Sequence, residues 1–535
     1  MVNPSTAIHN QDGSDAVPPT TRPTISYYLV LVLLVIPFCA VTPASWCYVV
    51  YSLYTGSIRA FTSRQYVVFA VALAEVLFSV YHYNLAKFVS GPSPIQPPGI
   101  VDLQDAFRRV LQSGLAGLPE DGPYDAETLD YDHPGSATEF ITNLAFDDPR
   151  AVDFRSYMRT WFKKAPWSAI HKHELQRWLY WSTFNVHMPS PESMPTTHRQ
   201  VIDEAVKLVE KRSGCKIPEG SNPAVTPMLL TVDDIHISFR PFLWYAFVAV
   251  GHTFAHRFLE HHWGVEFGRH GDVEYMVRIP ENWDPTDSKA RPIVFLHGLG
   301  LGIIHYSVFI IKLLQRFSDR PLLIPLHPHV SQRIFHPTYV RPLDRRSMVE
   351  GIFGAMREYG FVPEDDESNE VTVGDPRTGV TVLSHSNGSF THAWMLKASP
   401  HLISRSCFVD PVTFCLWEGD VCYNFLYKIR KTGFEMLMYY FVCSEIGIAN
   451  FLHRHFDWSA NSLWYEEIPH GKDPSKSMFV LGGKDFIVNS DRVAGYLKSH
   501  GVKKGLLYTP EHTHGQAFIG GSDVFKQIMD WLEEP

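Results

Sequence analysis

The second half of the chain alternates short apolar runs with helix-like segments, and this alternation constrains the fold more than any other feature. It begins at about residue 268 and continues to residue 535. Apolar strands that alternate with helices predict a mainly parallel sheet covered by helices on both faces. The strands are predicted in "VEYMVRI", "RPIVFLHGLGLG", "RPLLIPLHP", "GVTVLSHS", "SRSCFVDPV", "SMFVLGGKD" and "KKGLLYTPEH".

One of these strands runs directly into a candidate nucleophile. The segment "TVLSHSNGSF", residues 381 to 390, passes from an apolar strand through a small-residue turn into a helix-compatible stretch, with Ser386 at the turn. A serine hydroxyl is a poor nucleophile until a base removes its proton, and a sharp strand-turn-helix elbow exposes its oxygen to that base. We therefore interpret Ser386 as a catalytic nucleophile.

The order of these elements resembles that of α/β-hydrolases of the lipase and esterase type, over residues 268 to 535 or about half of the chain. The resemblance implies an α/β-hydrolase fold with a mainly parallel sheet and a helical cap. The elbow departs from the usual G-x-S-x-G because Ser384 replaces the first glycine, whereas Gly388 is retained. Ser384 and Ser389 are rival nucleophiles, but neither lies at the apex of the turn.

The resemblance also places a base and an acid after the last strands. "YTPEHTHGQAF" offers His512 and His514, and we favour His514 because a glycine follows it, as it often does in the family. The carboxylate that orients this imidazole is expected at Asp485, at the end of "SMFVLGGKD", with Asp410 in "CFVDPV" as the alternative. The chain order Ser386, Asp485, His514 is the order of the family.

The glycine-rich turn "HGLGLG", His297 to Gly302, follows a buried strand where the family has its oxyanion loop. The backbone N–H groups of Leu299 and Asn387 are the expected donors to the negative oxygen that forms when a serine attacks an ester. The turn is not a phosphate-binding loop, because it lacks the G-x-x-x-x-G-K spacing and the following Ser or Thr. This chemistry requires no metal and no organic cofactor.

An insertion of about 413 to 475 separates two of the predicted strands. It is helical in pattern and rich in Met, Phe, Leu and Tyr. In the family an insertion at this point covers the serine as a cap. An apolar cap predicts an apolar acyl or ring-bearing substrate and an opening toward a membrane, although packing of the cap's own core accounts for part of this composition.

The N-terminal part predicts a membrane anchor. Residues 25 to 54 carry no charge, and the run is longer than the roughly 20 residues that a helix needs to cross a bilayer. Pro37 and Pro43 predict either a kinked helix or a shallow hairpin. A second apolar stretch, residues 66 to 83, contains Glu75 at its middle, so we expect either a second span or a helix that lies at the interface or packs on the protein. The number of spans, one or two, and the organelle stay open.

Between the anchor and the sheet, the pattern is mostly helical. Its Trp and Phe residues recur at helical spacing and are expected to pack in a core. "GHTFAHRFLEHHWG" clusters four histidines, but no companion cluster is present, so a packed helix is favoured over a metal site. The predicted organisation is a disordered N-terminus (1 to 24), a membrane-inserted part (25 to 90), a helical region (91 to 267) and the hydrolase unit (268 to 535).

Composition excludes some classes of function. The net charge of -9 is spread over 535 residues without a block of Lys and Arg, so a nucleic-acid partner is not expected. The seven cysteines have neither metal-binding nor disulfide-rich spacing. Nothing in the sequence fixes the oligomeric state.

Together these features predict a membrane-anchored serine hydrolase that cleaves a carboxylic ester of a lipid or another apolar molecule. Two alternatives stay open. An acyltransferase would use the same three side chains with an alcohol in place of water. A catalytically silent scaffold would use the fold to bind a lipid or a protein partner.

Overall fold

The computed structural model describes residues 15–16, 22–97, 99–113, 142–285, 287–363 and 379–534. The predicted disordered N-terminus, residues 1 to 24, lies mostly outside the described residues. The longer helices are α1 (Ile25–Tyr54), α2 (Ser63–Val89), α3 (Ile100–Gln112), α4 (Pro149–Met158), α5 (Lys172–Phe184), α6 (Thr196–Ser213), α7 (Phe242–Trp263), α8 (Ile303–Arg316), α9 (Arg345–Glu358), α10 (Gly388–Ala398), α11 (Gly433–Cys443), α12 (Ile446–Arg454), α13 (Ser490–Ser499) and α14 (Asp523–Glu533).

Eight strands form one mixed sheet in the order β1-β2-β4-β3-β5-β6-β7-β8. Strand β2 is antiparallel to both of its neighbours, and the remaining pairs are parallel. This confirms the predicted α/β class and the mainly parallel sheet. The strands are β1 (Glu266–His270), β2 (Val273–Arg278), β3 (Ile293–Leu296), β4 (Leu322–Pro325), β5 (Val380–His385), β6 (Ile403–Val409), β7 (Ser477–Gly482) and β8 (Leu506–Thr509).

Alternate residues of the central strands enter two separate cores. In β3, Val294 and Leu296 pack with α9, α10 and α13, whereas Ile293 and Phe295 pack with α7, α8 and α14. Because successive side chains of a strand point to opposite faces, strands that are apolar throughout must be covered on both sides. The continuous apolar runs of the sequence reflect this double burial.

The sequence pattern missed β1. Its residues, "EFGRH", lie at the edge of the sheet and are partly or fully exposed, so they carry no apolar run. Pairing with β2 positions this strand, and pairing is a tertiary property that periodicity does not show.

The N-terminal apolar run forms one continuous helix, α1, and not a hairpin within that run. A π-helical turn, Leu31–Val35, immediately precedes Pro37. Proline lacks an N–H and its ring clashes with the carbonyl four residues earlier, so a wider turn at this point relieves the clash. Helices α1 and α2 are both long and apolar enough to cross a membrane.

Glu75, the charge within the second apolar stretch, is buried and hydrogen-bonded. Its Oε1 accepts a hydrogen bond from the Thr42 hydroxyl of α1 at 2.6 Å, and its Oε2 accepts one from the Phe242 N–H at 2.6 Å. Phe242 is the first residue of α7, whose free N–H groups favour a carboxylate. These bonds compensate the burial of Glu75 and tie α1, α2 and α7 together.

The helical region before the sheet packs on the hydrolase unit through aromatic side chains. Trp161, Trp178 and Trp181 are buried in the same core as α9 and α10, as their helical spacing predicted. The Trp161 indole N–H also donates to the carbonyl of Trp417 at 2.8 Å. The region therefore shares a core with the hydrolase unit.

An ion-pair network links the same parts of the chain. The Arg492 guanidinium in α13 donates to both oxygens of Asp153 in α4, at 2.6 and 3.0 Å, and its Nε donates to Glu418 at 2.9 Å. All three side chains are largely buried. Burial raises the pKa of Glu418 to about 7, although the Arg492 charge opposes this shift.

Replacing Arg492 should strongly destabilise the protein. In Arg492→Met the carboxylates of Asp153 and Glu418 lose this cation in a largely buried setting, which typically costs about 3–5 kcal/mol. We expect a clear drop in the temperature of thermal unfolding, measured by circular dichroism at neutral pH in detergent. Arg346→Met, which breaks the exposed Arg346–Glu350 pair, is the matched control and should leave that temperature unchanged. Equal shifts in the two variants would show that the network adds no stability.

Candidate active site

The candidate site lies at one edge of the sheet, where the parallel strands end. The turn after β5 carries Ser386, the loop after β7 carries Asp485 and the loop after β8 carries His514. Because the carboxyl ends of parallel strands meet at the same edge, residues far apart in the chain come together there.

Ser386 occupies a strained turn. Its φ is 50°, in the left-handed region that side chains other than glycine rarely adopt, and its N–H donates to the Val409 carbonyl at 3.1 Å. The turn is sharp enough to bring α10 against β3. A Cβ on Gly388 would lie 2.1 Å from the carbonyl oxygen of Leu296, so only glycine fits there.

Ser386, His514 and Asp485 form a continuous hydrogen-bonded chain. The Ser386 hydroxyl donates to His514 Nε2 at 2.8 Å, and His514 Nδ1 donates to Asp485 Oδ2 at 2.6 Å. Asp485 also accepts hydrogen bonds from the N–H groups of Ile487 and Val488, which fix its carboxylate. The structure thus brings together the three residues that the sequence singled out for catalysis.

The other two serines of the elbow have structural contacts. Ser384 is fully buried and its hydroxyl lies 2.9 Å from His392 Nδ1 in α10. Ser389 donates to the Ser386 carbonyl at 2.6 Å and accepts a hydrogen bond from the Val412 N–H at 3.1 Å. These contacts stabilise the turn, and neither hydroxyl is hydrogen-bonded to His514.

Asp410, the alternative acid, makes no hydrogen bond to His514 in the described structure. Its carboxylate accepts from the N–H of Gly482 at 2.9 Å and from the N–H of Gly515 at 2.7 Å. It therefore ties together the loops that carry Asp485 and His514. Burial raises the pKa of Asp410, and the nearby Asp485 charge adds to this effect.

His512, the alternative base, is also placed elsewhere. Within the described residues, its ring makes no hydrogen bond to Ser386 or to either aspartate, and its Nδ1 is buried without a partner. Its backbone carbonyl accepts from the Lys484 N–H at 2.8 Å, which fastens the loop after β8 to the loop after β7.

The electrostatics around His514 favour its charged form. Burial by itself lowers the pKa of His514, but the charge and hydrogen bond of Asp485, together with the charge of Asp410, outweigh burial and raise the pKa above its ordinary value. An imidazole held in this way can take a proton from Ser386 and remain charged while an adjacent intermediate exists.

Two backbone N–H groups beside Ser386 are free to bind an anion. Within the described residues, neither the Leu299 N–H nor the Asn387 N–H donates to a protein acceptor. Leu299 and Asn387 line the same cavity as Ser386. Their position fits the oxyanion-binding role predicted for them, which requires donors aimed at the oxygen of a tetrahedral intermediate.

The sequence analysis did not predict a buried pair of side chains, Tyr306 and His385, that lies next to Ser386. The hydroxyl of Tyr306 accepts a hydrogen bond from the Gly298 N–H at 3.0 Å and donates one to His385 Nδ1. It therefore links the predicted oxyanion loop to the residue before Ser386. Burial, followed by the proximity of His514, lowers the pKa of His385 well below its ordinary value, so this second imidazole stays neutral. In the sequence, the only indication of this pair is that His385 directly precedes Ser386.

A small apolar cavity of about 40 Å³ extends from Ser386 beneath the cap. Its walls come from the elbow, from the loop at Leu230 and mainly from the insertion between β6 and β7. The cap residues that line it are Leu416, Val421, Cys422, Phe425, Leu426, Leu452 and Phe456. This limb of the site offers almost no polar group to a ligand.

A second, wider cavity of about 320 Å³ opens from Ser386 to the surface. One rim is formed by α8, with Val308 and Phe309, and the opposite rim by α11, with Met438 and Val442. His514 lies in the wall between them. Ser386 thus lies at the junction of these two cavities.

The histidine-rich helix α7 packs as the sequence analysis favoured. His252 Nε2 lies 3.1 Å from the Ser331 carbonyl, and the ring of His256 stacks on Phe267 with ring centroids 3.9 Å apart. Burial lowers the pKa of each of these two histidines to about 4. In the described residues, the one group with metal-ligand spacing is Asp410, Asp485 and His514, whose hydrogen bonds are given above.

The strand order and the placement of the elbow define the α/β-hydrolase fold, as the resemblance implied. A carboxylesterase from Bacillus subtilis is 9% identical, with a TM-score of 0.31, over 53% of this chain and 98% of its own. A carboxyl esterase from the mycorrhizal fungus Tuber melanosporum is 15% identical, with a TM-score of 0.32, over 50% of this chain and 87% of its own. A naproxen esterase from Bacillus subtilis is 10% identical, with a TM-score of 0.31, over 53% and 98%. No protein-family model and no curated protein matches the chain.

The two aspartates should differ in their effect on His514. In Asp485→Asn the carboxylate that raises the pKa of His514 is lost while burial remains, so the pKa falls. Because Ser386 needs neutral His514 as its base, the rate of labelling by a fluorophosphonate should rise with pH through this pKa. We expect the midpoint to move to lower pH and the plateau rate to fall on the order of a thousandfold or more.

Asp410→Asn is the matched comparison. An amide oxygen can still accept one of the two N–H bonds, so we expect a smaller loss of rate and a smaller shift of the midpoint. The measurement is the pH profile of the labelling rate for the purified full chain in detergent. A larger loss in Asp410→Asn than in Asp485→Asn would assign the acid to Asp410.

Proposed function

We propose that the protein is a membrane-anchored serine hydrolase that cleaves a carboxylic ester of a lipid or another apolar molecule. The observation that carries the proposal is the hydrogen-bonded chain from Ser386 through His514 to Asp485, located at the junction of two apolar cavities. A serine with a purely structural role does not require a hydrogen bond from its hydroxyl to a base, and it does not require access to a cavity.

In the first half of the reaction, Ser386 Oγ attacks the acyl carbon and His514 Nε2 takes the hydroxyl proton. The negative charge that develops on the carbonyl oxygen is stabilised by the N–H groups of Leu299 and Asn387. His514 then gives its proton to the alcohol oxygen, and the bond between the acyl carbon and that oxygen breaks. Asp485 holds the charged imidazole throughout. The product is an acyl-enzyme on Ser386.

In the second half, water takes the place of the alcohol. His514 removes a proton from the water as it attacks the acyl carbon, then returns that proton to Ser386 Oγ as the acid leaves. Each step uses only side-chain and backbone groups of this chain. Neutral His385 adds no second positive charge beside His514 during either half.

The cavities support an apolar substrate. The small limb under the cap is suited to the first carbons of the acyl group, because it adjoins both Ser386 and the two N–H donors; its volume of about 40 Å³ requires the cap to move to admit a longer chain. The open limb is suited to the alcohol, because it adjoins His514, which must protonate the leaving oxygen. Desolvation of an apolar chain in such a slot is favourable by roughly 25 cal/mol for each Å² buried.

The anchor is supported by α1 and α2. Along α1, Ile25, Leu33 and Tyr51 are among many exposed apolar side chains, with exposed fractions of 80%, 71% and 65%. Water does not favour so much exposed apolar surface on one helix, whereas a bilayer does. The Thr42–Glu75–Phe242 hydrogen bonds described above would join the anchor directly to the catalytic unit.

Ser386→Ala should abolish labelling by a fluorophosphonate probe and hydrolysis of apolar esters. The expected loss of turnover is at least on the order of a thousandfold, since the nucleophile is absent. The measurement compares probe labelling in the membrane fraction and ester hydrolysis by the purified chain.

Ser384→Ala is the matched control. The Ser384 hydroxyl is buried two positions before Ser386, and it contacts His392 of α10 and not His514. This variant should still be labelled. Labelling that persists in Ser386→Ala, or a folded wild-type chain that neither binds a small probe nor hydrolyses any ester, would reject the proposed function.

A further inference from the structure

Helix α7 carries a row of exposed apolar side chains, here named the α7 stripe: Leu243, Phe247, Val250 and Phe254. Their exposed fractions are 55%, 68%, 68% and 70%. Spacings of four, three and four residues place them on one face of the helix. A contiguous exposed apolar row of this kind marks an interaction surface.

The stripe begins where the candidate membrane helices meet the hydrolase unit. The N–H of Phe242, one residue before the stripe, donates to Glu75 of α2. The next residue after Leu243, Trp244, packs edge-on against Phe38 of α1, with ring centroids 6.2 Å apart. The α7 stripe therefore begins beside α1 and α2.

The lengths of α1 and α2 indicate how far the bilayer would extend along α7. Beyond the Thr42–Glu75 contact, the remainder of α1 and the preceding part of α2 each extend about 18 Å at 1.5 Å per residue. The hydrocarbon core of a bilayer is roughly 30 Å thick. The bilayer must then reach roughly 12 Å past this contact. Helix α7 starts at the contact itself, where Phe242 binds Glu75, so its first two turns lie at the depth of this part of the bilayer.

The C-terminal end of α7 is polar, as expected where a helix leaves the hydrocarbon core of a bilayer. Arg257 follows the stripe by one turn, and its side chain is 81% exposed. Exposed His261 and His262 come one turn later. A helix that lies with its apolar part in lipid ends in cationic and polar groups at the level of the headgroups.

The stripe also leads to one rim of the open cavity. Gly251 of α7 faces Ile304 of α8, since a Cβ on this glycine would lie 3.1 Å from Ile304 Cδ1. One turn further along α8, Val308 is 65% exposed and lines the mouth. Ile519, on the same mouth, is 63% exposed.

The opposite rim is fastened to α1. Met438 of α11 lines the mouth, and the same helix packs on Val35 of α1 through Met436 and Tyr440. Phe441 of α11 contacts Phe38 of α1 with ring centroids 5.6 Å apart. Both rims of the cavity are thus joined to helices with lipid-compatible surfaces.

We propose that the α7 stripe is immersed in the bilayer beside α1, and that the substrate enters the mouth between α8 and α11 from the lipid phase. The substrate is accordingly an apolar ester that resides in the membrane, and not a water-soluble ester. This inference rests on the proposed function for its chemistry, but the immersion of the stripe has a test that needs no catalysis.

The first experiment places a photocrosslinker on the stripe. The full chain, with p-benzoylphenylalanine in place of Phe247 or Phe254, is reconstituted in phosphatidylcholine liposomes, irradiated and analysed by mass spectrometry. Adducts with phosphatidylcholine are expected at both positions. The same crosslinker at Ile279, an exposed apolar residue that follows β2 at the end of the sheet opposite the candidate site, should give none.

The second experiment tests the route of the substrate. Hydrolysis of dioleoylglycerol in the same liposomes and of p-nitrophenyl acetate in water is measured for Phe247→Asp, Phe254→Asp and the control Ile279→Asp. A carboxylate on a lipid-immersed face is unfavourable. The ratio of liposome to soluble activity should fall at least about tenfold in the two stripe variants and stay unchanged in the control.

The outcomes separate this inference from the proposed function. Absence of lipid adducts at Phe247 and Phe254 would overturn the immersion of the stripe, whether or not the protein hydrolyses esters. Adducts with an unchanged activity ratio would overturn entry from the lipid phase. Adducts in a chain that no fluorophosphonate labels would leave the stripe established as a membrane surface and reject the hydrolase.

Discussion

The candidate site depends on the contact between Gly388 and the backbone of β3. Because Gly388 has no Cβ, helix α10 can start directly against Leu296, and the strand-to-helix turn can close with Ser386 at a φ of 50°. Any larger residue would push the helix away from the sheet. The relaxed turn would then withdraw the hydroxyl from His514. A strained residue is maintained here because the surrounding core is packed around it.

Hydrogen bonds between loops position the other residues of the candidate site. Asp410 joins the loop after β7 to the loop after β8 through the N–H groups of Gly482 and Gly515. Tyr306 joins the oxyanion loop to the elbow through Gly298 and His385. These buried polar bonds are costly to leave unmade, so they fix loop geometry more tightly than apolar contacts would. The result is an imidazole within hydrogen-bond distance of both the serine and its carboxylate.

The proposed membrane anchor, α1 and α2, is connected to the candidate site by direct packing and hydrogen bonds. Helix α1 packs on the cap helix α11, and Glu75 of α2 binds the first N–H of α7. Helix α11 forms one rim of the mouth, and α7 packs on α8, which forms the other. A substrate that arrives from the bilayer would therefore meet the cavity without crossing water. The opening of the cap would depend on a helix whose other face is held by the anchor.

Local patterns of the sequence were sufficient for much of the fold. Doubly buried strands, amphipathic helices and the elbow each have a period or a motif that the chain displays by itself. Edge strand β1 escaped detection because half-exposed edge residues need not be apolar. The hairpin of α1 and α2 was ambiguous because the cost of Glu75 depends on partners, Thr42 and Phe242, that no pattern around position 75 indicates.

The sequence by itself determined the class of fold, the serine at the elbow and a short set of acids and bases in the right order. Only the tertiary structure decided that Asp485 and not Asp410 is hydrogen-bonded to His514, that His514 and not His512 is hydrogen-bonded to Ser386, and that Tyr306 and His385 lie next to Ser386. The physical reason is distance. A hydrogen bond requires two atoms to meet within about 3 Å, and for residues on different strands that separation is set by loop conformation and packing, which sequence spacing does not encode.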